Sequence, residues 1–208
     1  MTTILVLESS TGGDSSVSKL LVRDALDRLR TADKESRVLH HDFGLYPIPH
    51  LTTSSIAGVR GEPVTEEERL TRALSDQLIA ELKAANIILV GAPMYNFGIS
   101  TALRAWFDHV LRAGQTFSYS ESGPKGLLQG KRALVVEARG GHYSEGPAQA
   151  LDFQEPYLRQ LFGFMGVTDV TFVRAEKIGF GPDARSQAIE GATARIADVI
   201  PHLRPEAA

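Results

Sequence analysis

Apolar positions along the chain follow two rhythms in turn. Short, nearly continuous apolar runs occupy residues 4–7, 87–90, 133–136 and 170–173, and a less apolar run occupies 37–40. Runs of this length, rich in β-branched side chains, suit strands of a sheet covered on both faces. Between them the spacing changes to that of a helix with one buried stripe. Val17, Leu20, Leu21, Ala25 and Leu29 mark one such stripe, and Leu70, Ala73, Leu74, Leu78 and Leu82 a second. Ile99, Ala102, Leu103, Trp106, Phe107 and Val110 mark a third. Residues 151–162 predict a fourth helix, broken at Pro156 or opening near it, and Ile189, Ala192, Ile196, Val199 and Ile200 a fifth. Thr65 followed by Glu66, Glu67 and Glu68 supplies a cap and negative charge where the second helix starts.

Strands alternating with helices imply a parallel sheet built from right-handed crossovers. The order predicts a flavodoxin-like, doubly wound α/β fold: a five-stranded parallel sheet of order 2-1-3-4-5 with helices on both faces. The 208 residues suit a single domain over 1–208, at ~150 residues per typical domain. Two connections exceed a short loop, residues 44–64 with three prolines and residues 114–130. Long loops in a compact domain usually face a ligand or a partner.

Composition narrows the function. Lys plus Arg is 22 and Asp plus Glu is 25, a net charge of −3, so no overall basic field exists to hold nucleic acid or an anionic membrane. Cysteine is absent, which removes disulfides, thiolate metal sites, iron–sulfur clusters and a cysteine nucleophile, and fits a cytoplasmic location. The first ten residues have no basic region before their apolar run, so a signal peptide is not expected. No stretch approaches the ~18 consecutive apolar residues of a membrane span.

In an open α/β sheet, ligands bind at the carboxyl ends of the strands, near the switch in strand order. The loops that should meet there carry distinctive chemistry. The first, residues 8–18, is rich in glycine and serine and runs into a helix N-terminus, an arrangement that attracts phosphate. It matches neither G-x-G-x-x-G nor G-x-x-x-x-G-K-[ST], which disfavours dinucleotide and P-loop sites, and a serine there also serves as a plain helix cap. The second, residues 91–100, places Met94, Tyr95, Asn96 and Phe97 at a strand end, a mostly apolar platform suited to a planar heteroaromatic ring. The third, residues 137–144, contains Gly140 and Gly141, whose backbone can approach a ligand closely. His142 follows this pair and is a candidate to face substrate.

Competing chemistry finds little support. His40 and His41 are adjacent on a predicted strand and point to opposite faces, so they do not share a metal. His109 reads as a helix-surface or packing residue. The chain has no H-E-x-x-H and no G-x-S-x-G.

Taken together, the run APMYNFGISTALRAWFDHVLRAGQTFSY, then GPKGLLQGK and ARGGHYSEGP, resembles the FMN-dependent NADH azoreductases, also called NADH:quinone oxidoreductases. LVLESS near the start and PYLRQLFGFMGVTDVTFVRAE near the end extend the resemblance over essentially the whole chain. The resemblance implies that Ser10, Ser16, Val17 and Ser18 hold the FMN phosphate. Met94, Tyr95, Asn96 and Phe97 would line the ribityl chain and ring, and Ala138, Arg139, Gly140 and Gly141 would border its polar edge. Some relatives carry a hydroxyl residue where this chain has Ala138. The family also implies a homodimer with active sites at the subunit interface, closed by Phe117, Tyr119 or the 44–64 segment; Phe162 and Phe164 are further candidates.

The implied reaction passes a hydride from NADH through flavin N5 to a quinone or an azo compound, with ping-pong kinetics and no side-chain nucleophile. Two other readings stay open: a flavodoxin-type electron carrier, and a reductase of the same fold that prefers NADPH. The mild net charge argues against the carrier, since flavodoxins are usually strongly acidic.

Overall fold

The computed structural model describes residues 1–121 and 123–203. Five parallel strands form the central sheet: β1 (Thr3–Glu8), β2 (Arg37–Asp42), β3 (Ile87–Pro93), β6 (Arg132–Ala138) and β7 (Asp169–Ala175), in the spatial order β2-β1-β3-β6-β7. This is the expected 2-1-3-4-5 order of the five apolar runs. The crossover helices are α1 (Val17–Ala32), α3 (Glu66–Ala84), α4 (Thr101–Val110), α5 (Glu155–Met165) and α6 (Pro182–Leu203).

The central strands are apolar almost throughout because both faces are covered. Ile4, Val6, Ile87, Leu89, Leu134 and Val136 pack under α1 and α6. Leu5, Leu7, Ile88, Val90, Ala133 and Val135 pack under α3, α4 and α5. The period-two alternation along each strand thus divides one run between two cores. β2 lies at the sheet edge, which accounts for its more polar sequence. His40 and His41 face opposite sides there and pair with different carboxylates, Glu8 at 2.9 Å and Glu81.

The helix boundaries follow local chemistry. Thr65 and Glu68 form the reciprocal capping box at the start of α3. Pro156 lies in the first turn of α5, so that helix opens at the proline, while residues 147–151 form a separate 3-10 turn. His109 is a packing residue, buried on α4, with Nε2 donating to the Pro49 carbonyl at 3.0 Å.

Both long connections contain structure that hydrophobic spacing does not predict. Segment 44–64 carries the one-turn helix α2 (Ala57–Arg60). Segment 114–130 forms an antiparallel hairpin of β4 (Phe117–Ser120) and β5 (Gly123–Gly126). FSYS and GPKG are too short and too rich in glycine and proline to display a strand period. The hairpin docks where α5 ends: a Cβ on Gly126 would lie 2.1 Å from the Gly166 nitrogen, and the Leu128 N–H bonds the Met165 carbonyl at 2.8 Å. No helix among the described residues is long and apolar enough to cross a membrane.

Candidate functional site

β1, β3 and β6 end side by side, and their following loops meet at the carboxyl edge of the sheet. Ser9 anchors the first loop: its hydroxyl donates to the Gly91 carbonyl at 2.8 Å. The chain after β2 closes over this loop so tightly that a Cβ on Gly44 would sit 2.0 Å from the Ser10 carbonyl oxygen. The Ser10 hydroxyl accepts from the Gly12 N–H at 3.2 Å. Ser16 is the N-cap of α1, accepting from the Lys19 N–H at 3.3 Å, and its hydroxyl lies 3.2 Å from that of Ser18. The N–H groups of Val17 and Ser18 find no protein acceptor among the described residues. Two cations flank the turn. Lys19 is buried and paired with Asp42, and Arg185 donates to the Ser15 carbonyl at 3.1 Å. Free amides, hydroxyls and the positive end of a 16-residue helix make this turn an anion site.

The second loop turns on non-glycine residues. Tyr95 and Gly98 exchange backbone hydrogen bonds of 2.9 and 3.1 Å around Asn96 and Phe97, whose φ angles are 48° and 71°. Positive φ at both central positions is the signature of a type I′ turn, and a phenylalanine there is strained by about 1–2 kcal/mol. The strain leaves the Asn96 and Phe97 amides without a protein acceptor among the described residues and holds the Phe97 ring edge-on to Tyr143, centroids 6.1 Å apart. Tyr95 reaches across to the first loop, where its phenol oxygen accepts from the Thr11 N–H at 3.0 Å. Burial pushes this phenol up in pKa, but bonds with Ser10 and Thr11 and the charge of Lys19 outweigh that, and the net shift is downward.

The third loop lies beside the second, with the Met94 N–H bonding the Ala138 carbonyl at 2.9 Å. The carbonyls of Gly140 and Gly141 accept from Gly179 and Lys177, at 3.0 and 2.7 Å, while their own N–H groups find no protein acceptor among the described residues. A Cβ on Gly141 would lie 2.9 Å from the end of the Tyr143 ring, so a side chain there would have to push that ring aside. His142 stands at the loop surface, 3.4 Å from Glu145 and 3.6 Å from Glu176.

The structure places two sets of sequence-predicted residues away from the loop surface of this chain. The side chain of Arg139 turns inward. It is fully buried among Glu137 at 2.7 Å, Asp152 at 3.0 Å, Glu176 at 3.3 Å and the Gln154 amide oxygen at 3.1 Å. A guanidinium can be buried when its donors are met in this way. Glu137 beneath it is pushed up to about 8 by burial, against the attraction of Arg139. Phe117 and Tyr119 are also not brought to this edge of their own chain. They ride the hairpin docked at the far end of α5, Phe117 buried against Phe164 and Tyr119 74% exposed. Phe162 is a core residue in edge contact with Phe107, and Phe164 belongs to the hairpin cluster.

Three residues at the site escape the sequence pattern. Phe153 is exposed beside the turn, its N–H bonding the Phe97 carbonyl at 3.2 Å. Gln154 is buried and joins Arg139 to the Ala92 carbonyl at 2.8 Å. Glu176 accepts from the Tyr143 and Ser144 amides at 2.8 and 3.0 Å. The only sequence signal is the polar type of Gln154 at the mouth of an apolar helix, and of Glu176 at a strand end.

Comparison with known proteins agrees with this fold. A family model described as a flavodoxin-like fold matches residues 2–200. The chain is 59% identical, over 96% of both chains, to an FMN-dependent NADH:quinone oxidoreductase of Hyphomonas neptunium. It is 47% identical to a protein of the same name from Ralstonia nicotianae, over 95% of this chain and 96% of that one. The chain belongs to the flavodoxin-like family of the FMN-dependent NADH:quinone oxidoreductases. Among solved structures, an azoreductase of Bacillus anthracis superposes with a TM-score of 0.89 at 29% identity, over 97% of this chain and all of that one. In this chain the serine turn, the strained aromatic turn and the glycine pair meet at one sheet edge.

Proposed function

We propose that the chain is an FMN-dependent oxidoreductase that takes hydride from NADH and reduces quinones, and that it also reductively cleaves aromatic azo compounds. The observation that carries this reading is the set of backbone donors at one edge with no acceptor among the described residues: Val17 and Ser18 at a helix start, Asn96 and Phe97 in a strained turn, Gly140 and Gly141 beside them. The spread fits FMN, with a phosphate at one end and a polar-edged planar ring at the other.

When bound, FMN supplies the redox chemistry, accepting hydride from NADH and passing it to the acceptor. The chain binds, orients and tunes it. Ser10, Ser16, Val17 and Ser18 would hold the phosphate, with Lys19 and Arg185 adding positive potential. Met94, Tyr95, Asn96 and Phe97 would line the ribityl chain and ring. Ala138, Gly140 and Gly141 would border the polar edge, with Arg139 fixed behind them. The free amides of Asn96, Phe97, Gly140 and Gly141 would stabilise negative charge that builds up on reduction, since preorganised donors cost no reorganisation. No side-chain nucleophile is needed, and NADH and acceptor would use one exposed face in turn, which gives ping-pong kinetics.

The working unit in this reading is a cytoplasmic homodimer. Phe117 and Tyr119 lie at the opposite end of the sheet from the site, so they contribute only to the site of a partner. Exposed Phe97, Phe153 and Tyr46 at the carboxyl edge give such a partner an apolar surface.

The test is the visible spectrum of the purified protein under anaerobic conditions, with NADH added and then a benzoquinone. A flavin band that bleaches and returns is the expected result. A flavin that NADH leaves oxidised, but that accepts electrons from a reductase protein, replaces the enzyme with an electron carrier. No flavin after reconstitution overturns the cofactor.

A further inference from the structure

The guanidinium of Arg139 is the point at which three separate parts of the carboxyl edge are joined. Its Nε donates to the Gln154 amide oxygen at 3.1 Å, and the Gln154 amide nitrogen donates to the Ala92 carbonyl at 2.8 Å. Ala92 is two residues before Met94, so this arm holds the exit of β3 and the start of the strained turn. A second arm runs from Nη1 to Glu176 at 3.3 Å, and Glu176 takes the Tyr143 and Ser144 amides and the Ser144 hydroxyl. The backbone of Arg139 completes the junction: its N–H bonds the Ala175 carbonyl at 2.8 Å, and its carbonyl accepts from Ile178 at 3.2 Å.

We propose that Arg139 is a positioning residue: its buried guanidinium locks the loop after β3 to the loop after β6, so that the free amides of Asn96 and Phe97 and those of Gly140 and Gly141 keep one spacing. The proposal rests on the FMN reading for its functional consequence. The coupling of the two loops stands on the geometry alone.

The choice of arginine follows from the partner count. Its planar fork has five N–H donors in fixed directions, enough for an amide on one side and carboxylates on the other; an ammonium group cannot span them. The cluster is also close to charge balance. Glu137, Asp152, Glu155 and Glu176 surround Arg139, Arg159 and Arg174, with Arg174 reaching Glu155 and lying 3.8 Å from Glu137. A proton on Glu137 leaves equal numbers of each sign. His142, 3.6 Å from Glu176, is the remaining ionisable group at the rim.

The experiment compares wild type with Arg139→Lys and Gln154→Met. Gln154→Met cuts only the arm to Ala92 and keeps the volume. Two readouts are taken. The first is amide hydrogen exchange in the apoprotein at Met94, Tyr143, Ser144, Lys177 and Gly179, all of which have identified acceptors. The second is FMN affinity of the apoprotein, from quenching of flavin fluorescence. Faster exchange is expected at Met94 in Gln154→Met and at both loops in Arg139→Lys. FMN affinity should fall about tenfold to a hundredfold, the scale on which losing the partners that orient ligand-holding groups weakens binding at metal sites. The flavin midpoint potential and kcat should shift with it, and KM less.

Unchanged exchange at Met94 in folded Gln154→Met overturns the coupling. Wild-type FMN affinity and potential in a folded variant, with only the melting temperature lowered, leaves Arg139 a merely structural role and overturns its positioning of the site. If Arg139→Lys does not fold, Gln154→Met decides on the same readouts. If wild type fails to bind FMN while exchange responds as expected, the cofactor reading fails and the coupling stands.

Discussion

The phenol oxygen of Tyr95 lies 3.0 Å from the backbone nitrogen of Thr11, joining the loops after β3 and β1 across the carboxyl edge. The same oxygen is 3.1 Å from the Thr11 hydroxyl and 3.5 Å from that of Ser10. One ring thereby fixes the distance between the serine turn and the aromatic turn. Tyr95→Phe keeps the ring and removes the bond, which should cost about 1 kcal/mol of stability. FMN affinity should fall further than that of riboflavin, because the phosphate end is the part that loses its anchor. Parallel titrations of the apoprotein with the two ligands measure this, and equal losses would mean that Tyr95 acts on the ring alone.

Ser16 caps α1 and, in the proposed reading, also holds the phosphate; the two roles can be separated. As N-cap it satisfies the Lys19 N–H, and replacement by alanine should destabilise the protein by about 1 kcal/mol. Ser16→Ala should also weaken FMN, whereas Ser16→Asp should restore the cap and bind FMN worse still, through like-charge repulsion of the phosphate. Thermal melts with FMN titrations distinguish the cases. Tight FMN binding by Ser16→Asp would place the phosphate elsewhere.

How far the sequence reveals this site depends on which physical signal each residue leaves. The five strands and their order show themselves because alternating burial on two faces makes long apolar runs. Ser16 shows itself because its role as N-cap of α1 favours a hydroxyl side chain. The burial of the Arg139 side chain is not legible, since a charged residue beside Gly140 reads as an exposed one. Its burial depends on Glu137, Asp152, Gln154 and Glu176, brought together from three segments of the chain. The hairpin at 117–126 is equally hidden, because its place at the far end of α5 is set by the contact of Gly126 with Gly166 and by no periodicity of its own.

The type I′ turn at Asn96 and Phe97 stores strain at the carboxyl edge of the sheet. Phe97→Gly removes the steric penalty at a φ of 71° and should leave the melting temperature unchanged or raise it by about 2–4 °C, the shift expected from roughly 1 kcal/mol in a chain of this size. Turnover with quinone should nevertheless drop, because the ring that stands edge-on to Tyr143 is lost. Melting curves and steady-state kinetics on one preparation test both halves, and a stability loss without a rate loss would make Phe97 a packing residue.

Tyr119 offers a test of the dimer. It is 74% exposed on a hairpin remote from the site of its own chain. Within a single chain, Tyr119→Ala should change stability by no more than about 0.5 kcal/mol, as for other exposed positions. If the hairpin serves a partner's site, kcat/KM for quinone falls while FMN affinity stays at wild type. An activity equal to wild type would remove Tyr119 from the substrate site.

The pH dependence of stability should carry the mark of Glu137. Its carboxyl is held at about 8 in the folded chain, against an ordinary value of 4.5, because it is buried. The folded state therefore binds a proton that the unfolded state has released, and between these two values stability decreases as pH rises. The contribution is fully present below pH 4.5 and is lost above pH 8. Glu137→Gln mimics the protonated form and cannot lose it, so its denaturant midpoint should fall less than that of wild type over this range. Urea unfolding at closely spaced pH values provides the comparison. Parallel curves for the two proteins would show that Glu137 is ionised in the folded chain, paired with Arg139 as a true ion pair.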